Sequence, residues 1–570
     1  MARWLGRQAR CRCCRGCRYP NRQRWRIRQL QSRQRGGNHV KNEASWFDYP
    51  AACLLVPWPF HHDRQGLSGW FANIAAVLPA ALQARCPLSH LIDAPMTDTN
   101  LPATALHDWS AHALVAAYRA HALSPVEATR AVLERIERWE PHLRATYLLR
   151  PEAALEQARA SEARWLRGEP LGPLDGVPVT VKENIATRGD PVPLGTAAME
   201  LIPAVADAPP TARLRAAGTV LLAKTTMPDY GMLSSGLSSF HPLCRNPWNL
   251  AKGPGGSTAG GAAAAAAGYG PLHLGTDIGG SLRLPASWCG VFSLKPSLGR
   301  VPIDPPYMGR VAGPITRTVA DAALMMQVLS QPDARDTMSL PWQEIAWTTP
   351  GAAGAHKLRG LRIGLLMDAG CGLPVESDVR SAVEHAALLM ERAGAIVTPM
   401  PSFMTQSMLN GMDRFWRMRA LIDLNALPAE RRARVLPYIR EWAEGAAAMT
   451  GPDVFQALNQ FQVVRLASVR ACSAYDYVIS PVAPMPAFDA ELPSPTNDPA
   501  HPLEHIGFTV PYNMSEQPAA SIHCGFTPGG LPVGLQIAGA RFDDLGVLQV
   551  ARAFELIRDI QRSWPEPPLG

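Results

Sequence analysis

The chain is short of lysine, of charge in general and of long apolar runs. Only six of its 55 basic residues are Lys, at 41, 182, 224, 252, 295 and 357. Charged residues are 18% and apolar residues 47% of 570, which excludes a disordered or fibrous chain and supplies a large core. Eleven Cys in that length are too few for a small disulfide-stapled protein. Cys244, Cys289, Cys371, Cys472 and Cys524 show no paired metal spacing and read as buried thiols, so no metal or other cofactor is called for. No Gly-Lys dipeptide occurs, which excludes a Walker A loop. No G-x-S-x-G string surrounds Ser257 or Ser281, which argues against an α/β-hydrolase elbow. The run GWFANIAAVLPAALQA is broken by Pro79 and is too short to span a membrane.

Acid is missing from one end. Residues 1–42 hold 12 Arg, one Lys and no carboxylate, and the first 95 residues carry +11 of a total of +7. The remaining 475 residues therefore carry −4, and this body has no basic footprint for nucleic acid or an anionic membrane. The leader lacks helix or strand periodicity. It reads as an arginine-rich arm, as a thiolate knot of Cys11, Cys13, Cys14 and Cys17, or as a disordered or mis-started extension. The last is the expectation, because the four thiols are too crowded for a tetrahedral zinc site and the composition shifts at Met96. The domain division is then 1–95 for the extension and 96–570 for one large domain. A secretion signal would place its apolar region close behind the basic one; here more than 30 Arg-rich residues intervene. The expectation is a cytoplasmic protein with reduced thiols.

From Asp108 onward helices alternate with short apolar runs. Ser124-Pro125-Val126-Glu127 is a helix start with Ser at the cap, Pro first and Glu third. Val177 to Lys182 and Thr219 to Lys224 are β-branched or apolar throughout and predict buried strands. Helices are expected over Pro151–Gly168, Thr211–Gly218, Arg317–Leu329 and Val379–Gly394, and over most of Met412–Tyr475. Strands are expected at Leu361–Leu366, Ile396–Val397 and Tyr477–Pro481, and a loop over Gly299–Ile315. The alternation predicts an α/β fold: a central mixed, mostly parallel sheet covered by helices on both faces.

Three strings carry chemistry. Lys182 closes a buried strand. Such a residue usually snorkels to water, but a desolvated ammonium loses its proton easily and then serves as a base. Gly255-Gly256-Ser257-Thr258-Ala259-Gly260-Gly261 opens an Ala-rich helix, where backbone N–H groups and the dipole favour a negative group; a flexible turn is the plain alternative. In Gly275-Thr276-Asp277-Ile278-Gly279-Gly280-Ser281-Leu282-Arg283, a serine follows two glycines, so backbone amides can point at its own reaction centre. Asp277 and Arg283 are placed to pair and hold that loop.

Together these strings resemble the amidase signature family. The segment PGGSTAGGAAAAAAGYGPLHLGTDIGGSLRLPASWCGVFSLKP, residues 254–296, is similar to the family's hallmark almost throughout. Leu174–Asn184, Arg213–Met232, Asn246-Pro247-Trp248, YDYVISPVAPMPAF and GLPVGLQIAGARFDD also look like it, from about residue 100 to about 560. The resemblance implies a Ser–Ser–Lys triad: Ser281 as nucleophile, Ser257 as bridging serine after a cis Gly256–Ser257 bond, and Lys182 as base. It implies an oxyanion hole from the backbone of Ile278, Gly279, Gly280 and Ser281. Thr258 and Ala259 depart from the usual Ser and Gly, and Glu183 from the usual Asp. Ala259 adds a methyl where a left-handed backbone is expected to be needed.

The implied activity is hydrolysis of a carboxamide on a small-molecule substrate, with no nucleic-acid or membrane partner and a homodimer left open. The alternative within the fold is the glutamine-hydrolysing A subunit of a tRNA-dependent amidotransferase. A third reading, an Arg/Cys-rich nucleic-acid or metal-binding protein with a silent body, is opposed by intact Lys182, Ser257 and Ser281. Pocket walls are expected from the loop at Met232, from Pro302 to Val311 and from 404–470, whose Met and aromatic residues serve either as core or as an apolar pocket.

Overall fold

The computed structural model describes residues 104–348, 354–559 and 561–568. The Arg-rich leader, its four cysteines and the boundary at Met96 lie outside them. The described residues belong to one compact unit, built on an eleven-stranded sheet.

In chain order the strands are β1 (Thr146–Leu149), β2 (Pro178–Lys182), β3 (Val220–Thr225), β4 (Leu272–Asp277), β5 (Phe292–Lys295), β6 (Val311–Thr316), β7 (Arg362–Leu365), β8 (Ile396–Pro399), β9 (Tyr477–Pro481), β10 (Ala519–Phe526) and β11 (Pro532–Ala538). Their order across the sheet is β1-β3-β2-β4-β6-β5-β10-β11-β9-β7-β8. The sheet is mixed as expected, but its parallel share is smaller than the helix–strand alternation implies. Four of the ten pairings are parallel, at β2–β3, β2–β4, β7–β8 and β7–β9. The centre is antiparallel because β5, β6, β10 and β11 join there, and none of these is announced by alternation with helices.

The predicted elements fall within a few residues of their observed bounds. Glu127 Oε2 accepts the Ser124 N–H at 2.8 Å, and the helix Pro125–Leu143 follows. The predicted loop over Gly299–Ile315 is wrong at its end. Gly313 and Pro314 read as breakers, yet both lie in β6, between β4 and β5. No helix of the described residues is long and apolar enough to cross a membrane.

The central strands position the site. β2 and β4 run parallel in the register Val181↔Leu274, so both chains leave the sheet at the same edge, with Lys182 ending one and Asp277 the other. The helix Ala259–Ala267 begins nearby, and all nine of its residues are buried. Alanine is the best helix former, and a helix apolar on every side belongs in a core. Ala259 itself is the first helical residue, so the expected left-handed backbone does not arise there.

Candidate active site

Lys182 is fully buried and meets three hydroxyls. Its Nζ lies 2.9 Å from Ser257 Oγ, 3.2 Å from Thr258 Oγ1 and 3.1 Å from Thr276 Oγ1. Among the described residues it has no ion-pair partner. Burial pushes its pKa down to about 7; Glu183 and Asp277 pull it up and Arg310 pushes it down. Thr258 is the residue before the Ala-rich helix, yet its hydroxyl does not cap that helix. It donates instead to Thr276 O at 3.2 Å, so it can only accept from Lys182. Asn184 Nδ2 donates to Thr276 Oγ1 at 3.3 Å. Sequence reasoning does not single out Thr276 or Asn184. Their signal is position: Thr276 stands one residue before Asp277 on β4, beside the end of β2.

The Gly256–Ser257 peptide is cis, as the resemblance implies. Ser257 is buried, whereas Ser281 faces a cleft. The two segments are joined by backbone, since Thr258 N–H donates to Ser281 O at 3.2 Å. No hydrogen bond joins the two serine hydroxyls in this structure.

The loop before Ser281 hangs on an ion pair. Asp277 and Arg283 are both buried and make a two-pronged contact, Nε–Oδ2 and Nη2–Oδ1 each at 3.0 Å. Arg283 also donates to Thr509 O at 2.8 Å, Gln536 Oε1 at 2.7 Å and Asn513 Oδ1 at 2.6 Å. Asp277 in turn accepts from the N–H of Gly280 at 2.9 Å and of Leu282 at 3.1 Å. Burial alone would raise the Asp277 pKa, but the Arg283 guanidinium, the Lys295 charge and the Asn513 amide hold it well below the usual carboxylate range. Thr509, Asn513 and Gln536 lie more than 200 residues away in sequence, which hides them from a local reading.

One expectation is corrected by this loop. Gly280 N–H is committed to Asp277, so it is not a free oxyanion donor. Gly280 serves the turn instead. Its φ of +129° is one that side chains rarely adopt, and a Cβ there would sit 2.7 Å from Thr509 Oγ1. Gly231 is a further residue that the sequence does not flag. Its φ is +69°, and a Cβ on it would lie 3.2 Å from Ser257 Oγ.

The cleft above Ser281 is lined by Tyr230, Met232, Leu233, Ile278, Leu284, Trp416, Trp442 and Ile506, with Arg419 as a charged member. Met232, the candidate substrate contact, is one of these lining residues. Of the helical Met and aromatic set, Met404, Met412 and Phe461 are core, Phe455 is exposed, and Trp416 alone of that set lines the cleft. The cysteines are mixed: Cys244, Cys289 and Cys524 are buried, while Cys371 and Cys472 are only partly so. No group of His, Cys, Asp or Glu able to hold a metal occurs among the described residues.

Comparison with known proteins agrees with this architecture. A family model described as Amidase matches residues 127–548. The A subunit of glutamyl-tRNA(Gln) amidotransferase from Chloroflexus aggregans is 34% identical, over 81% of this chain and 99% of that protein. The corresponding subunit from Myxococcus xanthus is also 34% identical, over 79% and 97%. Among solved structures, a bacterial aryl acylamidase of the amidase signature family superposes with a TM-score of 0.73 at 29% identity, covering 80% of this chain and 97% of that one. The peptide amidase of Stenotrophomonas maltophilia gives 0.68 at 25% identity, covering 81% and 99%. The fold is that of an amide hydrolase. The chain belongs to the Amidase family.

Proposed function

We propose that this enzyme hydrolyses a carboxamide through an acyl-enzyme, with Ser281 as nucleophile, Ser257 as proton relay and Lys182 as base. The observation that carries this reading is a fully buried amine without a counter-ion, 2.9 Å from Ser257 Oγ. A serine hydroxyl is a weak nucleophile until a base takes its proton. With Thr258 and Thr276 accepting its two N–H bonds, neutral Lys182 keeps its lone pair for the Ser257 proton. Ser257 then takes the proton of Ser281 as Ser281 Oγ bonds to the carbonyl carbon. The relay runs back to protonate the nitrogen as the C–N bond breaks. Water, deprotonated by the same relay, releases the acid. The two serine hydroxyls close up once substrate is bound, as catalytic hydrogen bonds commonly do.

The oxyanion donors in this reading are the N–H groups of Ile278, Gly279 and Ser281. Each is worth about 3 kcal/mol in the transition state. The supporting pair Asp277–Arg283 fixes their direction.

The test uses a fluorophosphonate probe on the full chain, read by intact mass. One adduct is expected, absent in Ser281→Ala and slowed in Lys182→Ala. An adduct that survives Ser281→Ala would sink the assignment. Similarity to the amidotransferase A subunits favours a second reading, glutamine hydrolysis with partner subunits. The apolar cleft favours a free-standing amidase. Ammonia release from glutamine compared with benzamide, by the chain alone, separates the two.

A further inference from the structure

The cleft above Ser281 ends in positive charge that nothing among the described residues neutralises well. Arg419, on the helix Gln406–Asn425, lines the cleft and lies over the Tyr307 ring, 4.4 Å from its centroid. Its only carboxylate neighbour among the described residues is Asp423, at 3.8 Å on the same helix. Arg310, at the start of β6, lies 5.8 Å from the centroid of the same ring. It donates to Pro305 O and has no ion pair among the described residues.

Arg310 is close enough to feel Arg419. Burial first, and then that like charge, lower its pKa. It also acts on Lys182, so its field spans the distance from the base to the cleft. The remaining acids are occupied or outside: Asp336 accepts from the N–H of Ile303 at 2.9 Å and of Met338 at 2.8 Å, and Asp304 is exposed. Arg310 is half-buried with no carboxylate in ion-pair reach among the described residues, so an anion beside it would offset the cost of its desolvation. Arg419 is partly exposed and paired only with Asp423 on its own helix. The indole N–H of Trp416, in the same wall, has no hydrogen-bond partner either.

We infer that the substrate is an amide whose apolar, ring-sized body ends in a carboxylate. The body lies between Met232, Trp416 and Ile506, and the carboxylate is taken by Arg419 and Arg310 over Tyr307. A planar carboxylate matches the two-pronged face of a guanidinium. This inference rests on the amide-hydrolase reading above and deepens it.

The test measures ammonia release by the full chain from 4-carbamoylbenzoate and its homologues with one to three methylenes before the carboxylate. Each is paired with the same amide carrying an isopropyl group instead. For at least one length the carboxylate is expected to have a kcat/KM about tenfold higher or more. That ratio should shrink in high salt and fall toward one in Arg419→Met and in Arg310→Met, with Arg419→Lys keeping part of it. Isopropyl amides turned over as well as the acids at every length would overturn the inference while leaving the hydrolase intact. If no amide is turned over but Ser281 is still labelled by the fluorophosphonate, protection from labelling decides. Slower labelling with the carboxylates alone supports the inference, and equal labelling overturns it. Loss of both turnover and labelling strikes the hydrolase reading itself, and this inference with it.

Discussion

Lys182 and Arg283 flank the same serine loop, both fully buried, and the fold treats their charges in opposite ways. Arg283 faces a carboxylate and three further oxygens, so its charge is compensated and fixed. Lys182 faces three hydroxyls and no carboxylate, so its charge is optional. The compensated pair makes a hub, and the uncompensated amine makes a reagent. Burial alone does not distinguish a reagent. Lys224 and Lys295 are also buried and also pushed down to about 7 by desolvation first. Lys224 donates to Ile185 O and to Thr187 Oγ1 at 2.8 Å, and Lys295 to Pro296 O. A carbonyl can only accept; a hydroxyl can also give a proton. Of the three, Lys182 is the one whose hydrogen-bond partners are all hydroxyls, with Ser257 among them.

The comparison breaks most sharply at Lys182. Lys182→Met is expected to lower kcat/KM by about 10²–10⁴-fold, the range of a lost general base. Its melting temperature should hold or rise, because no carboxylate is left unpaired. A labelling rate at Ser281 equal to wild type would show that the amine is only filling space. Arg283→Met is expected to do the opposite kind of damage. It strands Asp277 in the core, and urea unfolding at pH 7 should show a loss of about 3–5 kcal/mol. Adding Asp277→Asn to that variant should restore part of the stability, since the uncompensated charge goes with it. If the double variant is no better than the single one, Arg283 acts by packing rather than by pairing.

How much of this is legible in the sequence depends on distance along the chain. Lys182, Ser257, Ser281, Asp277 and Arg283 sit in short strings whose residue types and spacing are readable. The strands that carry Lys182 and Asp277 are half legible: β2 announces itself by β-branched residues, whereas β4, with its Gly275, does not. The second half of the hub, Thr509, Asn513 and Gln536, is brought in by the short helix Val510–Met514 before β10 and by β11, and nothing local marks it. Gly280 misleads because a Gly-Gly-Ser string suggests free amides, and only the folded loop shows Asp277 claiming one. The cleft is legible residue by residue at Met232 and in the serine loop, and over 404–470 only as a region. Trp416 and Arg419 come from a helix whose Met412 is core and whose Met408 and Phe415 pack against it, and a helical stripe does not say which edge meets a cleft.

A finer test of the contrast is the pH profile. Neutral Lys182 is the active form and its pKa is about 7. Therefore kcat/KM should fall about tenfold per unit as pH drops below 7, and level off above it. Above its folded pKa the amine is already neutral, so raising pH further adds nothing. A flat profile between about pH 6 and pH 9, with chemistry limiting, would remove Lys182 from the relay.

The smallest change acts inside the hydroxyl cage. Thr276→Val keeps the shape and deletes one oxygen 3.1 Å from Lys182 Nζ. An ammonium needs three acceptors and a neutral amine only two, so the charged form loses more. The loss of one buried acceptor is worth about 1 kcal/mol, less than one pH unit of titration. The acid limb of the profile should therefore move to lower pH by up to about that much, with the plateau reduced only a few-fold. The limb of Lys182 in Arg283→Met has no such reason to move down, because Arg283 donates to Asp277 and not to the amine. A limb that moves up in Thr276→Val would mean that Thr276 gives its proton to the lysine lone pair. The hydroxyl cage would then favour the neutral base directly, and the proton of Ser257 would need another route.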